Sequence, residues 1–292
     1  MLRPASLMRR RTAMSNDGLH EIPLPLDERN LAHVLSAVAF AALTSRMPDA
    51  RPRESTCWWL EEGFVLKTAI SQASLLDAAD AFLRKLRWVS GIGGKEQGTF
   101  IADNELGSNP FISLAGNGQE SSPFKTFAAN QEPAKDLLEK QRAKLEPPSA
   151  NGSWLFQTTF GISSWGFDSR VGSHAYDRGF SSNAEGSGDR DPIYTAVELL
   201  GIAAASFFAA IQGWQLDDNA VGYAIWTQPI SVSLVPNAVA GRLDGLPARR
   251  YSVARRGGAY GSGGAFRFFP EAILETKRLR KGYEHRNKPK RS

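Results

Sequence analysis

The feature that most constrains this chain is a change of apolar period within its first third. Leu75, Leu76, Ala79, Phe82, Leu83 and Leu86 recur at i, i+1, i+4, i+7, i+8 and i+11, with Asp77, Asp80, Arg84 and Lys85 off the stripe. That period belongs to an amphipathic helix with one face in a core. Just before it, residues 55–60 and 63–67 are short, aromatic and β-branched runs joined at Glu61-Glu62-Gly63, which read as a strand pair. Earlier still, Leu31, Val34, Leu35, Val38 and Ala42 recur at helical spacing, with Asp27 as the expected N-cap and Pro48 beyond the end. Residues 19–26, LHEIPLPL, alternate and carry two prolines, as an edge strand would. The order is strand, helix, strand, strand, helix. One more strand, from 98–102 or 111–114, would complete a ferredoxin-like βαββαβ arrangement.

The rest of the chain is organised by its punctuation. Residues 90–123 are rich in Gly, Ser and Asn and read as a long loop. Gly94-Lys95 within it is like a phosphate loop, but the first glycine is missing and Glu96 stands in place of the magnesium-binding hydroxyl, so nucleotide hydrolysis is not expected there. A short helix is expected over 131–146, ended by Pro147-Pro148, the best boundary. A strand follows at 154–162, then a polar loop over 163–191. Asp191-Pro192 is expected to start an apolar helix, with Pro at the first position. That apolar stretch, Ile193 to Ile211, contains Glu198 and is short for a bilayer span of ~20 residues, so it reads as a buried helix. Strands are expected at 221–227, 230–235, 249–254 and 265–269, and a basic helix at 270–282.

The expected fold class is α+β. A basic N-terminus covers 1–18, a ferredoxin-like part 19–148, a second α+β part 149–276, and a basic tail 277–292. At 292 residues with 42% hydrophobic content, the chain can bury a sizeable core. Its one cysteine, Cys57, excludes an internal disulfide framework and any multi-cysteine metal site, and it fits a reducing cytoplasm. The first 14 residues carry four arginines and no acid, as a transit peptide would; the simpler reading is that translation starts at Met14.

Charge is distributed unevenly. Residues 1–241 hold 21 basic and 26 acidic side chains; residues 242–292 hold 14 and 4. The net +5 therefore belongs to the last sixth of the chain, a footprint suited to a polyanion or, more simply, the solvated tail of a protein-interaction module. Within it, residues 249–269 interleave Arg249, Arg250, Arg255, Arg256 and Arg267 with Tyr251, Tyr260, Phe266, Phe268 and Phe269, around five glycines. Guanidinium groups bind phosphate and aromatic rings stack on bases, so this segment is the expected nucleic-acid contact. A β-hairpin with aromatics inward and arginines outward would give the same pattern. The loop 163–191 gathers Asp168, Arg170, His174, Asp177, Asp189 and Asp191, with Glu198 beyond. Carboxyl groups of this kind can hold Mg²⁺ for phosphodiester hydrolysis. No metal-ligand or triad spacing is met, and no cofactor motif is present.

Three segments together resemble the Csb-three family of CRISPR-associated proteins of type I-G (formerly I-U) systems. They are residues 57–72, CWWLEEGFVLKTAISQ; residues 167–183, FDSRVGSHAYDRGFSSN, followed by PIYTAVELLGI at 192–202; and the arginine–aromatic segment ending in FRFF. The positions carrying the resemblance are Trp58, Trp59, Leu66, Lys67, Thr68 and Gln72, then Phe167, Asp168, Asp177, Gly179, Phe180, Ser181, Glu198, Leu199 and Leu200. Ala69-Ile70-Ser71 departs from the family's Trp-Ala-Gly-like stretch. The resemblance implies a non-catalytic, Cas-eight-like subunit of an RNA-guided antiviral interference complex. It implies guide RNA, target DNA and sister subunits as partners; the residues themselves lead to no expectation of a membrane or a cofactor. Lys67, Arg170, Arg249, Arg250, Arg255, Arg256 and Arg267 would then contact phosphates. Trp58 and Trp59, adjacent on a strand, must point to opposite faces of their sheet, so one indole is expected on its open face.

Overall fold

The computed structural model describes residues 17–90, 98–102, 134–148, 153–160, 162, 165, 167–169, 193–209, 215–217, 220–254 and 271–275. They form an α+β fold. In chain order the first elements are β1 (His20–Leu24), α1 (Leu31–Thr44), β2 (Thr56–Leu60), β3 (Gly63–Thr68), α2 (Gln72–Lys85), β4 (Leu86–Ser90), β5 (Gly98–Ala102) and α3 (Ala134–Ala143). Then come β6 (Thr158–Thr159), β7 (Ile193–Tyr194), α4 (Thr195–Ala209), β8 (Gln215–Asp217), β9 (Ala220–Trp226), β10 (Ile230–Ser231), α5 (Val235–Val239), β11 (Ala248–Ala254) and β12 (Ile273–Leu274).

The N-terminal sheet has the strand order β1-β3-β2-β10, all antiparallel, so β1 and β2 flank β3 with α1 crossing between them. This is the split βαβ core of the expected arrangement. The turn between β2 and β3 requires Gly63: φ is 143°, and a Cβ there would sit 2.4 Å from the Leu24 carbonyl oxygen. The fourth strand is not 98–102. Those residues pair with β4 in a separate ribbon, Leu86 opposite Ala102, inside the stretch expected to be a loop. The sheet is completed by β10, with Ile230 opposite Cys57. A second antiparallel sheet runs β12-β11-β9-β8.

Helix α2 buries the stripe the sequence marks: Leu75, Leu76, Ala79, Phe82 and Leu83, with Ser71 capping it by accepting from the Ser74 amide at 3.1 Å. Helix α1 differs from its expected one-sided pattern, because all 14 of its residues are buried. It packs on α4, α2, α5 and β3 at once. Its alanines allow close approach, and Ser36 and Thr44 donate to the carbonyls of Ala32 and Phe40, each at 2.8 Å. Their hydroxyls are thereby satisfied without water. Its N-cap is Asn30, not Asp27: Asn30 Oδ1 accepts from the Ala32 amide at 3.1 Å. Asp27, three residues earlier in the same loop, instead accepts from the Arg29 amide at 2.9 Å.

One hydrophobic core runs through residues from both sides of Pro147-Pro148. The segment at that diproline is tied down: Arg84 donates to the Leu145 carbonyl at 2.9 Å and the Trp154 indole to the Glu146 carbonyl at 2.8 Å. Four local expectations are corrected. Residues 153–156 form a 3-10 turn rather than a strand, with only Thr158–Thr159 extended. Helix α4 begins at Thr195, after the short strand β7 takes Ile193 and Tyr194. After Ile230–Ser231 the chain turns into a 3-10 turn and α5. Ile273–Leu274 is a strand on β11, not helix. Residues 103–123 and 265–269 lie outside the described residues. No helix among those described is long and apolar enough to cross a membrane.

Candidate nucleic-acid interface and its buried support

Four residues of the link between β1 and α1, Asp27-Glu28-Arg29-Asn30, organise both constellations singled out in the sequence. On one side is a fully buried polar knot. Asn30 Nδ2 donates to Asp168 Oδ1 at 2.8 Å, and Asn30 Oδ1 also receives the Ser169 amide at 3.4 Å. Glu198, in the first turn of α4, accepts the Trp165 amide at 2.6 Å on one carboxyl oxygen and the Asp168 amide at 3.1 Å on the other. The Trp165 indole donates to Gln141 on α3 at 2.9 Å, and the Ala32 amide to the Phe167 carbonyl at 3.2 Å. Asp168 and Glu198 are fully buried, as are Phe167, Leu199 and Leu200. The structure thus brings Phe167, Asp168 and the Glu198–Leu200 element into one place, 30 residues apart in sequence. Both carboxyl groups serve backbone and amide donors inside the protein, the arrangement a buried carboxyl needs.

Asp177, Gly179, Phe180, Ser181 and Arg170 lie outside the described residues. Among the described residues, no three His, Cys, Asp or Glu side chains gather as metal ligands. The cleft bordered by Leu145, Trp154, Thr159 and Thr195 measures about 40 Å³, room for water rather than a substrate.

On the other side of the four residues, β11 supplies the basic segment. Alternation along β11 puts Arg249, Tyr251 and Val253 on one face and Arg250 and Ser252 on the other. Tyr251 and Val253 are buried, as expected for the aromatic face, and Arg250 is exposed. Arg249 is not turned outward with Arg250. It shares the inner face, and its guanidinium Nη2 donates to Glu28 Oε2. The Tyr251 hydroxyl donates to Glu28 Oε1 at 2.7 Å, and the Tyr223 hydroxyl to the Glu28 carbonyl at 2.8 Å. The two tyrosine rings stack at 5.7 Å, opposite one another in the β9–β11 register. Burial pushes the Tyr223 phenol well up; burial, then the hydrogen bond and charge of Glu28, push Tyr251 up to about 12. The Ala272 amide donates to the Arg29 carbonyl at 2.8 Å, and Arg29 pairs with Glu271 at 2.8 Å. Arg255, Arg256 and Arg267 lie outside the described residues.

The paired tryptophans divide as strand geometry demands. Trp59 enters the core beside Phe64, with ring centroids 5.2 Å apart, and Phe64 meets Trp226 edge-on at 6.4 Å. Trp58 lies on the opposite face, half-buried, alongside Thr56 and Lys67. Lys67 is held there by Asp17 at 2.7 Å. Thr68 is buried and donates to the Ala50 carbonyl at 2.9 Å, while Gln72 opens α2. Cys57 faces the core, where burial pushes its thiol up and makes it a poor nucleophile. Its carbonyl accepts the Trp226 indole at 3.0 Å, fixing sheet one against sheet two.

The sequence did not mark Glu28 or Asn30. A short polar run between a strand and a helix signals only a cap, and the partners of these residues lie some 140 and 220 positions away. Comparison with protein-family models, with curated proteins and with solved structures finds no match for this chain.

Proposed function

We infer that this chain is a non-catalytic nucleic-acid-binding subunit of a type I-G (I-U) CRISPR RNA-guided interference complex. Guide RNA or target DNA and sister effector subunits would be its partners, and its work would be done in the cytoplasm. The observation that carries the reading is the concentration of 14 basic against 4 acidic residues in positions 242–292, led in by β11 with Arg250 on its exposed face. Phosphate contact by such a segment supplies affinity and register, while base pairing by the guide supplies sequence. The resemblance in residues 57–72 and 167–202 supports the family. The rival, a metal-dependent phosphodiesterase on Asp168, Asp177 and Glu198, is disfavoured by the use of Asp168 and Glu198 as buried acceptors.

The test is anisotropy of labelled single-stranded DNA, single-stranded RNA and duplex DNA against salt. Log affinity should fall linearly with log salt, by about 0.7–0.9 per phosphate contact. Arg255→Ala with Arg256→Ala should weaken all sequences alike and flatten that slope. Absence of binding to all three at low salt sinks the reading. Mg²⁺- or Mn²⁺-dependent cleavage that Asp168→Ala abolishes with the fold intact would replace it by the rival.

A further inference from the structure

The geometry points to Glu28 as an internal anion that engages Arg249 in the free protein and competes with a phosphate for it. This rests on the nucleic-acid reading above and adds its regulation. Three observations carry it. First, Glu28 divides its carboxyl group between two donors, Tyr251 on one oxygen and Arg249 on the other, so Arg249 is held through one nitrogen only. Second, Arg249 Nε is buried without an acceptor, although guanidinium binds oxyanions best through two parallel N–H groups. The pair is therefore incomplete on the arginine side, and a tetrahedral oxyanion offers the second oxygen that Glu28 has given to Tyr251. Third, the Arg249 side chain keeps 39% exposure while Glu28 keeps 17%, so an incoming phosphate reaches the arginine before the carboxyl group. The neighbouring Arg250 is exposed on the opposite face of the strand and serves as the reference for an accessible arginine.

Exchange leaves Glu28 with its Tyr251 hydrogen bond, and the Tyr223 hydroxyl holds the Glu28 carbonyl independently of the side chain. The clasp can thus release Arg249 without releasing β11. Basic side chains already committed to internal carboxyl groups lower non-specific polyanion binding, because each contact must first break an ion pair.

The experiment has two arms on the full chain. In the first, an arginine-directed dicarbonyl reagent is followed by peptide mapping. Arg249 should react more slowly than Arg250 in the native chain and as fast as Arg250 in Glu28→Gln, which keeps an acceptor for Tyr251. A labelled single-stranded oligonucleotide should then protect both arginines. In the second arm, Glu28→Gln should raise affinity for that oligonucleotide about three- to tenfold and steepen the salt slope by about 0.7, one further phosphate contact. Arg249→Ala on the Glu28→Gln background should abolish that gain. Binding that is present but unchanged in affinity and slope by Glu28→Gln overturns this inference and leaves the proposed function standing. Equal reactivity of Arg249 and Arg250 in the native chain overturns it too, and needs no variant. No binding by the native chain is the failure of the proposed function, and this inference falls with it.

Discussion

The two polar clusters flanking Asp27–Asn30 use the same kinds of group and differ in water. The knot of Asn30, Asp168 and Glu198 is fully buried, and its acceptors serve backbone and amide donors. The clasp of Glu28, Arg249 and Tyr251 is partly solvated on the arginine side. A buried carboxyl cannot fall back on solvent when its partner is removed, whereas an ion pair with a solvated arginine can do so in part. The knot should therefore hold the fold, and the clasp should be adjustable at little cost to it.

The sharpest break in this contrast is Glu198→Ala. It orphans the amides of Trp165 and Asp168 in a dry site, and unfolding by urea should show a loss of about 3–5 kcal/mol. Asn30→Ala removes both the cap of α1 and the donor to Asp168; the same measurement should show about 2–3 kcal/mol. Tyr251→Phe, on the wetter side, should cost about 1 kcal/mol at neutral pH, a loss small enough to need paired denaturation curves. Its pH dependence is distinctive. The Tyr251 phenol is raised from 10.0 to about 12, so its stabilising share is present in full below pH 10 and disappears as pH rises through about 12. Denaturation between those limits should lose that component in Tyr251→Phe. The smallest effect belongs to Glu28→Gln, within about 1 kcal/mol and shrinking further at high salt. A loss from Glu28→Gln as large as that from Glu198→Ala would erase the distinction between the clusters.

Local period was enough to find α2, the β2–β3 hairpin, β9 and β11, because each is written in consecutive side chains. It could not find what depends on remote partners. Helix α1 shows five apolar positions at helical spacing, yet its polar and small residues are buried too, because α4 and α5 close over them. Trp154-Leu155-Phe156 has the composition of a strand and forms a 3-10 turn whose Trp154 and Leu155 both enter the core; composition alone does not separate the two. Of the site, the inward Tyr251 and outward Arg250 were legible from alternation. The Arg249–Glu28 pair was not, since charge spacing carries no information about an acid 221 residues upstream. Phe167-Asp168 and Glu198 were visible as separate motifs; the Asp168 amide joins them by donating to Glu198, and Asn30 ties Asp168 to the start of α1.

The placement of β10 beside β2 has a consequence for synthesis. Strand β2 is made by residue 60, but its neighbour is not made until residue 230, about 170 residues later. At typical elongation rates that interval is roughly 10–35 seconds, far longer than a hairpin takes to form. During it the edge of β2 at Thr56 and Cys57, the two positions that β10 covers, lacks its neighbour. Such an edge is a template for pairing with other chains. The edge at Thr56 and Cys57 is therefore open to wrong pairing during synthesis for far longer than the edge of a local hairpin would be.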